Sequence, residues 1–291
     1  MNSPNIRRLC KLVVSSILLV SGSFSETSIG APTEEQIKVV MAERSVPNWK
    51  KASVQASELR ASPPNKSWSE FWRELDAQVK TVSGTAALAK ASSPRDANEL
   101  FANAAWLRWK ILSDAGDGRF SYVYSFVLSH MKGPDGDYSR EVAVFLYHAR
   151  LAIAIDGARC ADRSSPETFV SGYETQKTFQ RLLEQVEKMA PKDKAIALLE
   201  AVAIEEMRGE RPPYEWLCTQ GVRTPLQAMN QGRLPQKVEP SDVDKSNILG
   251  RDNTYTIDTS GIKAEFVPEN QWKKSRREIL DRNISSAIKA L

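Results

Sequence analysis

The stretch Glu141–Arg159, EVAVFLYHARLAIAIDGAR, sets the tightest limit on how this chain folds. Val142, Phe145, Leu146, Ala149, Ala152 and Ile153 recur at spacings of three and four, the repeat of one helix face. Val144, Tyr147, Leu151, Ala154 and Ile155 make the other side apolar too. A helix apolar nearly all round is either enclosed by other helices or inserted in a membrane. His148 and Arg150 interrupt the run, so it falls short of the ~20 apolar residues a span needs. Its length excludes a core strand, since strands run ~3–10 residues. The stretch is predicted to be a buried central helix, with the rest of the chain wrapped around it.

Residues 1–25 have the pattern of a secretory signal peptide. Arg7, Arg8 and Lys11 precede the apolar run Leu12–Val20, and Ser23 and Ser25 supply small residues at the −3 and −1 positions. The competing reading is an uncleaved N-terminal anchor. No cysteine follows the apolar run, which disfavours a lipoprotein. The net charge is +4, but the segment removes three basic and no acidic residues, leaving 37 basic against 36 acidic. The pI of 8.9 is therefore largely a property of the leader and gives no argument for nucleic acid.

Of the three cysteines, Cys10 leaves with the leader, and Cys160 and Cys218 remain as an even pair. In an oxidising compartment they are expected to be bridged. Two buried free thiols are the alternative.

Periodicity fills the chain with helices. Thr33 and Gln36 fit a capping box for a short helix expected to end near Ser45-Val46-Pro47, followed by a packed arm with a helical stretch around Val54–Leu59. Ser67–Ser83 is predicted as a helix capped by Ser67 and Glu70, and the next starts at Ser93-Pro94. Phe120–Met131 suits either helix or strand and is assigned as helix by its neighbours. Arg159–Tyr173 is expected to be a loop. Thr175–Met189 and Lys194–Arg208 are expected as an antiparallel helix pair. Thr254–Asp258 and Ile262–Val267 alternate like a β-hairpin, and a final helix begins near Asn270. The expected fold is mainly α: an irregular multi-helix bundle around a buried central helix (about 140–158), with a small C-terminal β-hairpin plus helix. The expected divisions are 1–25 signal peptide, 26–66 N-terminal helix and extended arm, 67–230 helical core, 231–252 linker, and 253–291 hairpin and C-terminal helix.

Familiar chemistry is missing. There are two histidines, His130 and His148, with no HExxH, no CxxC, no Gly-x-Ser-x-Gly, no Walker loop and no Gly-x-Gly-x-x-Gly. No metal or cofactor is expected. The candidate polar site is His148 with Asp156 and Arg159 near the end of the central helix, weighed as a general base or anion pocket against a hydrogen-bonded structural cluster beside the disulfide. The structural reading is the favoured one. Asp114, Asp117, Asp135 and Asp137, in two glycine-containing turns, match ordinary turn chemistry better than a calcium loop. Five of the seven tryptophans lie between Trp49 and Trp109, at helical spacings that fit a core better than a ligand groove.

The sequence thus leads to an exported helical protein, acting without catalysis as a binding or assembly component in the periplasm or outside the cell. Its expected partner is an unspecified protein or cell-envelope ligand, with no nucleic acid and no stable membrane span after signal removal. The alternative is an exported hydrolase-like enzyme using His148, Asp156 and Arg159.

Overall fold

Four helix starts in this chain follow side-chain oxygens, of Thr33, Asn65, Asp96 and Asp117, that satisfy the first free backbone N–H groups. The computed structural model describes residues 33–79, 85–114, 116–131, 138–174, 177–219, 221–237 and 255–291. The leader 1–25, Asp135, Asp137 and residues 238–252 of the expected linker lie outside them.

The capping box at Thr33 forms: Gln36 N–H donates to Thr33 Oγ1 at 3.3 Å and Thr33 N–H to Gln36 Oε1 at 2.8 Å. It opens α1, Glu34–Val40. The chain does not stop near Pro47 as expected. A π-helical turn, Met41–Ser45, leads directly into α2, Val46–Ala61. Pro47 falls at the first turn of α2, just past the widened turn, where its missing N–H and its ring are accommodated. The expected arm is thus mostly helix.

Helix α3, Lys66–Val79, is capped by Asn65 rather than Ser67. Asn65 Oδ1 accepts the Trp68 N–H and the Ser67 hydroxyl, each at 3.0 Å. Helix α4, Thr85–Ala91, was not expected; it is an alanine-rich segment that buries Ala87, Leu88 and Ala91. Helix α5, Ala97–Ser113, starts at Asp96, not Ser93, because the Asp96 carboxylate accepts the Glu99 N–H at 2.8 Å. Helix α6 is Gly118–Ser129, capped by Asp117, so the ambiguous stretch is helical.

The central helix, α7, is Ser139–Gly157. Phe145, Ala149, Ala152 and Ile155 are fully buried, and so are Ala143 and Leu146. Helix α8, Ser164–Glu174, occupies most of what was expected to be a loop. Then come α9, Lys177–Glu187, and α10, Pro191–Arg208, which ends at Gly209 with a φ of 64°. Short helices α11, Glu215–Cys218, and α12, Arg223–Asn230, follow, and α13 spans Glu269–Ile288.

The fold is mainly α, but the expected hairpin does not form. Tyr255-Thr256 pairs instead with Gln236-Lys237 in a two-residue antiparallel bridge. The backbone around Phe266 is taken by the disulfide segment: Ala161 N–H donates to Glu265 O at 2.9 Å and Val267 N–H to Arg159 O at 2.8 Å. Distant partners thus displaced the local one that alternation pointed to.

Two compact units result. Unit 1 takes the described part of Met1–Ala152 with Leu182–Arg211 and Glu278–Leu291; unit 2 takes Ile153–Arg181 and Pro212–Arg277. Within unit 1, α5 packs against α2 and α6, and α10 against α2. Phe145 meets Tyr124 and Trp49 edge to face, with centroids 4.6 and 5.9 Å apart. Trp49, Trp68, Trp72 and Trp106 are buried, and their indole N–H groups donate to Glu200, Asn98, the Ala102 carbonyl and Asp76. They act as packing pillars, as the helical spacing implied.

Unit 2 is organised by the bridge between Cys160 and Cys218, whose sulfurs are 1.99 Å apart and Cα atoms 5.0 Å apart. Gly157 lets the chain fold tightly here: a Cβ on it would lie 2.5 Å from the Pro166 ring. Trp272 is fully buried and donates its indole N–H to the Ile155 carbonyl at 2.9 Å. Among the described residues no helix is long and apolar enough to cross a membrane.

Candidate functional site

The buried polar cluster of unit 1 is assembled from three helices. α6 supplies Ser121, α7 supplies His148, and α10 supplies Glu205 and Arg208; Arg211 follows just past the Gly209 turn. Ser121, His148 and Glu205 have no exposed surface, and Arg211 is also buried. Ser121 Oγ lies 2.7 Å from His148 Nδ1, and His148 Nε2 lies 2.9 Å from Glu205 Oε1. Arg208 Nη1 donates to Glu205 Oε1 at 2.9 Å, and Arg211 Nη1 to Glu205 Oε2 at 2.7 Å. A second Arg208 nitrogen donates to the Gly116 carbonyl.

Charge settles the direction of each bond. Burial holds His148 down at about 4, with Arg208 and Arg211 adding to the effect and Glu205 opposing it. The imidazole is therefore neutral at neutral pH. Glu205 sits well below the usual carboxylate range: burial alone would raise it, but Arg211 and Arg208, with the His148 hydrogen bond, outweigh that. A carboxylate only accepts, so His148 donates from Nε2 and receives the Ser121 hydroxyl at Nδ1. Arg208 Nη1, 3.3 Å from Nε2, then faces a donor, and its hydrogen bond is the one to Glu205.

Hydroxyl, imidazole and carboxylate in one hydrogen-bonded line is the order of a nucleophilic relay. Two features of this line work against that chemistry. A base protonating only near 4 has little driving force to take a proton at neutral pH. The nucleophile must also reach a substrate, and Ser121 has no exposed surface. Read as structure, the cluster pairs the hydroxyl, imidazole and carboxylate that three packed helices enclose, while Arg208 Nε makes no hydrogen bond among the described residues.

The residues singled out in the sequence are divided between the units. His148 belongs to the unit 1 cluster, while Asp156 and Arg159 belong to unit 2. Asp156 is buried, and its backbone carbonyl accepts the Arg159 N–H at 3.1 Å. The Arg159 guanidinium lies over the Trp272 ring, 3.4 Å from its centroid, and pairs with Glu269 at 3.5 Å. Cys160 and Cys218 are brought together as expected. Ser121, Glu205, Arg208 and Arg211 were not picked out in the sequence. The available signal was Glu205 itself, a carboxylate directly following the buried run Ala201-Val202-Ala203-Ile204.

Other polar features have local duties. His130 is exposed, with Nδ1 2.9 Å from the Phe126 carbonyl. Asp117 caps α6 and pairs with Arg119 at 2.6 Å, and Asp114 binds Lys110. Among the described residues no group of three or more His, Cys, Asp or Glu is placed to hold a metal ion. In unit 2 an open cavity of about 430 Å³ is lined by polar and apolar groups together, among them Gln227, Asn230, Ile262, Lys263, Ala264 and Glu265. Gln227 Nε2 donates to Glu265 Oε1 across it at 3.1 Å. Set against known protein families, characterised proteins and solved structures, the chain matches none of them.

Proposed function

We propose that this is an exported, non-catalytic binding or assembly component working in the periplasm or outside the cell. One observation carries the non-catalytic part. The only Ser–His–carboxylate line among the described bonds is enclosed, and two arginines hold its carboxylate. The Cys160–Cys218 bridge supports an oxidising compartment, as does the leader-like pattern of residues 1–25.

The alternative is an exported hydrolase in which Ser121 is the nucleophile and His148 its base, favoured by their 2.7 Å contact. Reaction of the oxidised protein with a fluorophosphonate probe separates the two. No adduct on Ser121 is expected. An adduct on Ser121 that disappears in Ser121→Ala and in His148→Gln would establish the hydrolase.

A further inference from the structure

The open cavity of unit 2 has two walls that differ in covalent form and share one chemistry. Its volume of about 430 Å³ lies within the ~300–1,000 Å³ of ligand clefts. One wall is α12 and the residue after it, which supply the carboxamides of Gln227, Asn230 and Gln231. The other is main chain. Ile262, Lys263, Ala264 and Glu265 line the cavity in succession and belong to no helix or turn. Extended chain sends successive side chains to opposite faces, so a cavity touched by four neighbours in a row runs along their backbone. Amide groups therefore face it from both sides.

Most of these amides are uncommitted. Among the described residues, neither the N–H nor the C=O of Lys263 or Ala264 has a hydrogen-bond partner, and the Asn230 carboxamide has none. Gln231 Oε1 accepts from Arg233 at 3.3 Å, which leaves its Nε2 open. Gln227 Nε2 donates to Glu265 Oε1 at 3.1 Å, which leaves its Oε1 open. Both walls are nevertheless anchored. Arg223 N–H donates to Asp162 Oδ2 at 2.8 Å at the start of α12, and past its end the Arg233 guanidinium donates to the Asp258 and Ser260 carbonyls at 2.8 and 2.7 Å. On the main-chain wall, Ala161 N–H donates to Glu265 O at 2.9 Å. Open groups held this way need little ordering on binding.

A ligand that answers both walls must itself carry amide donors and acceptors in alternation. We propose that this cavity binds an extended segment of a partner polypeptide, paired main chain to main chain at Lys263 and Ala264 and amide to amide at Asn230 and Gln231. Charge does not favour a polyanion. Glu265 lies 3.7 Å from Arg223 and lines the cavity with Lys263, Asp162 accepts at the Arg223 N–H, and Arg233 pairs with Asp258 at 3.6 Å. A nucleic acid or an anionic bilayer meets no excess of cations here. A saccharide is disfavoured too, because no aromatic ring among the described residues lines the cavity to stack against a sugar. What remains is recognition by main-chain hydrogen bonds, which tolerates many side chains and requires an extended, unpaired backbone.

This inference deepens the binding reading above and is tested independently of Ser121. A library of capped hexapeptides is screened against the oxidised full chain, and the tightest member is remade with ester oxygens in place of its peptide N–H groups. Maltotetraose and phosphatidylglycerol vesicles run alongside. The peptide is expected to bind at least ten-fold tighter than its ester analogue and to shift the amide resonances of Lys263 and Ala264. Ala264→Pro, which removes an N–H that no internal bond uses, is expected to weaken binding ten-fold or more with the melting temperature unchanged. Asn230→Ala, at an exposed position, is expected to weaken it several-fold and carries the test should the proline variant fail to fold. No binding from the library, equal affinity for peptide and ester, resonance shifts elsewhere, indifference to both substitutions, or binding of the saccharide or vesicles at these residues would each overturn the proposal. Any of these together with a silent fluorophosphonate experiment would leave the non-catalytic reading standing without this site.

Discussion

Asp162 Oδ2 accepts the backbone N–H of Arg223 at 2.8 Å, while Asp162 Oδ1 accepts the N–H and the hydroxyl of Ser164 at 3.1 and 2.7 Å. One carboxylate thereby serves the first turns of both α8 and α12. Burial works against its charge, but the Arg223 and Ser164 donors win, and it lies below the usual aspartate range. Its folded value is depressed, so the stability it contributes is present above the unfolded value and is lost as pH falls through the folded one. Asp162→Ala is expected to destabilise by about 1–2 kcal/mol, the usual loss for a helix cap. Hydrogen exchange should quicken at the amides of residues 222–226 well before those of α5. Gly221→Ala is expected to perturb the same amides, because the added methyl would lie 2.1 Å from Asp162 Oδ2.

The bridge between Cys160 and Cys218 closes a loop with a sequence separation of 58. In the chain-entropy account, a loop of that size stabilises the folded state by about 4 kcal/mol. Replacing both cysteines with serine should lower the urea midpoint accordingly. Reductant should shift the parent protein toward the same midpoint and leave the double variant unmoved. Unit 2 is expected to lose exchange protection first, since both sulfurs lie in it.

Glu200 poses the opposite problem. It accepts the Trp49 indole N–H at 2.6 Å and the Ser45 hydroxyl at 3.2 Å in a largely buried site. Burial raises its pKa, and these two neutral donors only partly offset that. A carboxyl raised on folding favours the folded state most at low pH and loses that contribution as pH rises. Glu200→Gln keeps an acceptor for Trp49 and removes the buried charge. It is expected to stabilise by on the order of 1 kcal/mol at pH 7, with the gain shrinking as pH approaches 4.5 in urea titrations. Glu200→Ala should destabilise instead, because it leaves the indole N–H without its partner.

What the sequence could and could not convey follows from the range of the interactions. The central helix was legible because its periodicity records burial directly, and Phe145 and Ala149 are as enclosed as the pattern implied. The disulfide was legible because two cysteines allow one pairing. Helix starts slipped by a few residues where several capping side chains compete, as with Ser93 and Asp96. The hairpin failed because the extended backbone at Phe266 forms an isolated bridge with Cys160, a contact no local alternation encodes. The site was half legible. His148 stood out as a polar break in an apolar helix, but its partners come from α6 and α10, and nearness along α7 pointed to Asp156 instead.

The imidazole of His148 gives the sharpest pH prediction. It is fully buried and neutral, held at about 4, whereas a histidine in the unfolded chain titrates near 6.5. Above pH 6.5 both states are neutral there and the group contributes no pH dependence. As pH falls from 6.5 toward 4, the unfolded chain takes up the proton and the folded one does not, so stability drops, by about 3 kcal/mol across the window. Below 4 the histidine contribution levels off, while Glu205, depressed by Arg211 and Arg208, goes on withdrawing stability as it protonates. Urea midpoints measured from pH 7.5 to 4.5 should therefore stay level down to about pH 6.5 and fall below it in the parent protein. In His148→Gln, whose amide is able to donate to Glu205 without titrating, the slope over that range should flatten while the fold is kept, as judged by the far-ultraviolet dichroism. An unchanged slope in that variant would mean that His148 is not the group whose protonation the fold resists.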